Sequence, residues 1–119
     1  MAGIMEQAQA LGNALARTDE YQALRRAIRD ADDDRDIAEL RSSLEKLEGQ
    51  IAATLRTGAE PEKEVAEAYE SAVSRLQTNP TYQRLAAAQA NFDKILQKVN
   101  GTIAKGMEEA ADSRIILAP

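Results

Sequence analysis

Apolar residues return every third or fourth position through almost the whole chain, the period of an α-helix with one buried face. Ile4, Ala8, Leu11 and Leu15 trace a first such face, and Tyr21, Leu24, Ile28 and Ala31 a second. Between them Thr18 offers a capping oxygen, with Asp19 and Glu20 placed where a helix dipole favours negative charge. This junction reads equally as a sharp turn or as a kink. The longest stripe comes next. Ile37, Leu40, Leu44, Leu47, Ile51 and Leu55 are spaced by 3, 4, 3, 4 and 4 residues, close to an a/d seam. On its wet side Arg35–Glu39 and Arg41–Glu45 should pair across one turn, for a few tenths of a kcal/mol each. Gly49 lies inside this helix, at a cost of about 1 kcal/mol against alanine.

"TGAEPEKE" then breaks the pattern. Thr57 and Gly58 can end the helix, and Pro61 suits the first turn of the next. Val65, Tyr69, Ala72, Val73 and Leu76 form the following face, which "QTNP" stops, because the residue before proline avoids helical geometry. A last helix carries Tyr82, Leu85, Ala88, Phe92, Leu96, Val99, Ile103 and Met107. Its stripe stays in phase across Asn100–Gly101, so that dipeptide predicts a bend or an uninterrupted helix, not a turn. The fold class is therefore all-α: an elongated antiparallel helical bundle of four to five helices, oligomerising through long amphipathic helices. Residues 1–112 form a single domain and residues 113–119 a C-terminal tail.

Two of these stripes are longer than one short partner helix can cover. At ~25 cal/mol per Å2, leaving several Leu or Ile side chains wet costs several kcal/mol. A second copy should cover them, as a homodimer or a pair of pairs. The expected interface comprises Ile37, Leu40, Leu44, Leu47, Ile51, Leu55, Phe92, Leu96, Val99 and Ile103. In the tail, Ile115, Ile116 and Leu117 favour extended backbone. That run packs on its own bundle or a sister subunit, or else serves as a docking segment for a partner.

One phrase occurs twice: "TDEYQAL" from Thr18 and "NPTYQRL" from Asn79. Each sets a capping residue three positions before a tyrosine, followed by Gln and, two residues on, Leu. Helix-start grammar explains the echo, since the flanking sequences do not align as a duplication. A tyrosine at the third helical position can bury its ring and keep its hydroxyl wet. Neither carries a neighbouring base or cofactor motif.

Composition removes most chemistry. The 119 residues include no cysteine and no histidine, so thiol nucleophiles, imidazole bases and Cys/His metal sites cannot be built. The Glu-x-x-His pair of helical di-metal sites is likewise impossible. "DADDDRD" fails as a calcium loop, because positions six and twelve from Asp30 hold Arg35 and Arg41 instead of Gly and Glu. It reads as a polar turn that caps the next helix. Glu60, Glu62, Glu64 and Glu67 read as a solvated helix start. No catalytic residue, cofactor or metal ligand is therefore expected. The net charge of −5 argues against a general nucleic-acid binder. The alternative reading is an RNA-contacting accessory protein using the Arg25/Arg26/Arg29 and Lys94/Lys98/Lys105 patches, although no aromatic platform accompanies them. No apolar run approaches the roughly 18 residues of a membrane span. The N-terminal stretch, with Glu6 early and no basic start, is not a signal peptide. A cytoplasmic location is expected.

In order, these pieces resemble the YlbF/YmcA family of small helical bacterial regulators, over roughly residues 1–108. The resemblance rests on "ALARTDEYQALRRA", on "DRDIAELRSSLEKL" after the acidic turn, and on "NPTYQRLAAAQANFDKILQKVNGTI". It implies a helical homo-oligomer without catalytic activity that binds partner proteins. Family members are associated with competence, sporulation and biofilm formation, and some modulate an endoribonuclease in mRNA processing. Certain members carry cysteines that bind iron–sulfur clusters. This chain has none, so cluster binding does not transfer and the chain falls in a divergent, cluster-free branch.

Overall fold

Three helix starts are set by a short polar side chain. The computed structural model describes the chain from residue 3 to residue 117, and its side chains as far as residue 112. Five helices occupy the described residues: α1 Ile4–Ala16, α2 Asp19–Asp33, α3 Arg35–Arg56, α4 Lys63–Gln77 and α5 Pro80–Leu117. Thr18 Oγ1 accepts the Tyr21 amide at 3.1 Å and donates back to the Leu15 carbonyl at 2.7 Å. Asn79 Oδ1 accepts the Tyr82 amide at 3.0 Å. Asp34, inside the acidic run, does the same for Ile37 at 3.0 Å, so that run is a helix break and cap.

The echoed phrase extends to its glutamine. Gln22 Nε2 donates to the Ala16 carbonyl at 2.8 Å, and Gln83 Nε2 to the Gln77 carbonyl at 3.1 Å. Each reaches back across the break to a carbonyl that the preceding helix leaves unpaired at its end. One seven-residue word thus stops one helix, caps the next and ties the two together.

The α3–α4 connection turns at Gly58, whose φ of 82° lies in the left-handed region. Pro61 does not enter the first turn of α4. Glu62 is the extended N-cap residue, which leaves Pro61 just outside the helix. At Asn100–Gly101, α5 runs on as uninterrupted helix. It also continues through Ser113–Leu117, so the extended backbone expected for the tail is instead the last turns of α5. The expected pairing of Arg41 with Glu45 is replaced as well. Arg41 reaches Asp32 of α2 at 3.8 Å, a carboxylate brought alongside by the break at Asp34. Among the described residues Arg35–Glu39 does not close as an ion pair, whereas Lys63–Glu67 does, at 3.9 Å.

The helices pack as α2 on α5 and α3 on α4. Tyr21 near the start of α2 meets Phe92, ring centroids 5.2 Å apart, while Asp30 at the other end of α2 shares a groove with Thr81 and Arg84. The pair is therefore antiparallel. Tyr69 of α4 donates to Glu48 of α3 at 3.4 Å, and Leu76 clusters with Leu40, which makes that pair antiparallel too. In effect two long arms, α2–α3 and α4–α5, run side by side and each breaks once. The core lies at the waist where the breaks meet: Ala31, Ile37, Leu40, Ala72 and Leu76, with Leu44, Tyr82 and Leu85 against it. Ile37 is wholly buried. Away from the waist the molecule thins, and it measures 70 × 37 × 23 Å.

Candidate protein-interaction surface

The expected interface splits once the chain is folded. Ile37, Leu40 and Phe92 are buried inside the chain and have no surface left to offer another molecule. Their stripe is consumed by α4 and α2, partners the seam-like spacing could not name. Leu44, Leu47 and Ile51 are half-buried on the α3 side of the α3–α4 hairpin. Leu55 is exposed at its tip. On α5, Leu96 and Val99 are half-buried and Ile103 is exposed.

Of the seven large hydrophobic residues exposed among the described residues, five gather at the opposite end of the molecule. Helix α1 has no buried residue. Its Ile4 and Met5 are 79% and 80% exposed, and Leu11 is also exposed. Facing it, the part of α5 beyond Phe92 leaves Ile103 48% and Met107 65% exposed. Leu11 of α1 and Ile95, Lys98, Val99, Thr102 and Ile103 of α5 line a groove of about 280 Å3 between the two helices. Two helices that show each other apolar residues without closing leave a surface that monomeric proteins rarely keep bare. The contribution of α1 was not anticipated. The signal was present, because thirteen residues with Ile4, Leu11 and Leu15 on one face carry a single charge, Glu6.

Two other concavities lie nearer the waist. Ile28, Tyr82, Leu85 and Ala86 floor one, with Arg41, Gln89 and Asp93 at its rim. Alanines 23, 27, 87 and 88 floor the other, flanked by Arg26 and Arg84, whose Nη2 donates to Thr81 Oγ1 at 3.1 Å. The cationic patches considered for RNA are exposed: Arg25, Arg26 and Arg29 on α2, and Lys94, Lys98 and Lys105 on α5. The aromatic rings stand elsewhere. Tyr21, Tyr69 and Tyr82 are half-buried and Phe92 is buried in packing, so no stack of open rings accompanies the cations. Ile115, Ile116 and Leu117 lie outside the residues whose side chains are described. Among the described residues no helix is long and apolar enough to cross a membrane.

The molecule so defined is an all-helical rod whose accessible features are grooves and an apolar end. Residues 4–108 match the family described as "Control of competence regulator ComK, YlbF/YmcA", and the chain belongs to that family. It is 25% identical over 109 residues to UPF0342 protein LBA1592 of Lactobacillus acidophilus, covering 92% of this chain and 94% of that protein. Its fold matches a crystal structure of Bacillus subtilis RicA in complex with RicF, with a TM-score of 0.83 and 18% identity. That match spans 91% of this chain and 96% of the other.

Proposed function

We propose that this chain is a cytoplasmic, non-catalytic regulator that works by binding other protein chains, copies of itself included, through the end formed by α1 and the outer half of α5. The observation that carries the reading is the bare apolar end: a helix with no buried residue, facing exposed Ile103 and Met107. Family membership supports it, because the family is described by control of a regulator. RicA, which shares the fold, was crystallised with a protein partner, RicF. Oligomerisation through the α3 stripe loses its support, since Ile37 and Leu40 are spent on the core. The same requirement for a second chain passes to α1 and α5.

Affinity capture from the native cell, run with the wild-type chain and with Leu11→Asp, tests this. Leu11 is exposed and outside the core, so the variant keeps its helix content. The reading expects a protein recovered with the wild type to be lost with Leu11→Asp, through a charge placed in an apolar contact. Equal recovery by both baits contradicts it.

A further inference from the structure

We propose that the groove between α2 and α5 beside the waist docks an acidic amphipathic helix of a partner protein, with an aliphatic contact stripe and a carboxylate on each flank. The site lies apart from the α1–α5 end and does not depend on it. Charge is the first ground. From Tyr21 to Arg29 and from Pro80 to Asn91 the chain has four arginines, Arg25, Arg26, Arg29 and Arg84, and no carboxylate, although its net charge is −5. All four are exposed. Among the described residues the ion pairs are Arg41–Asp32 and Lys63–Glu67, neither of which uses them. A cationic band left unpaired on an acidic molecule attracts a partner of opposite charge.

Shape is the second ground. Ala23 and Ala27 of α2, with Ala87 and Ala88 of α5, floor a groove of about 360 Å3, and Arg26 and Arg84 stand one on each helix. Asp30, the one carboxylate in the lining, pairs with neither arginine; Arg84 donates instead to Thr81 Oγ1 at 3.1 Å. At ~1.5 Å per residue, the α5 wall from Thr81 to Asn91 runs nearly three helical turns. The floor decides what kind of anion fits. Alanine methyls give a free anion no hydrogen bond. Tyr21, Tyr82 and Phe92 are spent in packing, so an RNA strand finds no ring to stack on. An aliphatic side chain lowered from a helix does fit between the alanines, and the arginines beside it can clamp carboxylates at the rim.

Selection of a displayed helical peptide library, randomised along one face, tests this on the full-length chain and on the double variant Arg26→Glu with Arg84→Glu. Both arginines are exposed and outside the core, so the circular dichroism of the variant should match wild type. Peptides selected on the wild type should carry Asp or Glu beside an aliphatic stripe, and those selected on the double variant Lys or Arg. A synthetic copy of a wild-type selectant should shift the amides of residues 23–30 and 81–91 in an NMR titration. Either single reversal should weaken it roughly tenfold. Ala87→Gln, which fills the groove without adding charge, should weaken it too. Selected peptides without a charge preference, or acidic ones indifferent to both reversals, overturn the proposal. Peptides lost with Leu11→Asp but kept through the reversals also overturn it, and leave the α1–α5 reading standing. A single-stranded RNA oligonucleotide whose binding falls with the reversals, where no acidic peptide is selected, overturns it by giving the band to nucleic acid.

Discussion

A hydroxyl, a carboxylate and a carboxamide perform one task in this molecule: Thr18, Asp34 and Asn79 each accept the amide three residues ahead and start a helix. Such i to i+3 relations are local, which is why the caps were legible from the sequence. The reach of Gln22 and Gln83 to carbonyls six residues back was not, because it spans a helix break whose angle only packing fixes. The same limit hid which stripe residues are buried. Ile37 and Leu55 obey one spacing, yet the first is enclosed at the waist and the second is 58% exposed at a tip. Asn79→Ala and Thr18→Ala should each lower stability by about 1 kcal/mol in urea denaturation. Ile37→Ala should cost more, about 2–5 kcal/mol, because it empties the one large side chain that is fully buried among the described residues. Should Ile37→Ala cost no more than the caps, the core does not sit at the waist.

At the scale of elements, helix identity followed from periodicity, while the boundaries followed from details that periodicity does not carry. Pro61 suits the first turn of a helix or the position just before it, and its ring alone could not choose. Asn100–Gly101 has turn chemistry, but the apolar phase on either side outweighs it, and α5 stays whole for 38 residues. The beta-favouring Ile115, Ile116 and Leu117 join that helix because propensity is weak against continuation of a formed helix. The two glycines of the α3 hairpin should respond in opposite directions. Gly49 is exposed mid-helix with nothing within 4 Å of an added Cβ, so Gly49→Ala should raise stability by up to about 1 kcal/mol. Gly58 holds φ at 82°, so Gly58→Ala should lower stability by about 1 kcal/mol. Thermal melts of the two variants check the pair, and a rise for Gly58→Ala would mean that α3 ends differently.

For the molecule as a whole, two broken arms that run side by side place the core in the middle, where their breaks meet. Family, helix content and elongation were readable from the chain. The face left open was not, since that depends on which helices find partners inside the fold. The α3 seam finds α4, and α1 finds almost nothing. Leu47, half-buried on α3, therefore belongs to folding. Leu47→Asp should lower the unfolding midpoint, whereas Leu11→Asp should leave it near wild type and reduce association. Hydrogen exchange followed by mass spectrometry, at sub-micromolar and at high micromolar protein, separates the two roles on the unmodified chain. Amides of α1 and of α5 from Ile95 to Met107 should gain protection with concentration, while those of α3 and α4 do not change. Protection that ignores concentration throughout, or that grows instead along Leu44 to Leu55, would contradict an association surface at the α1–α5 end.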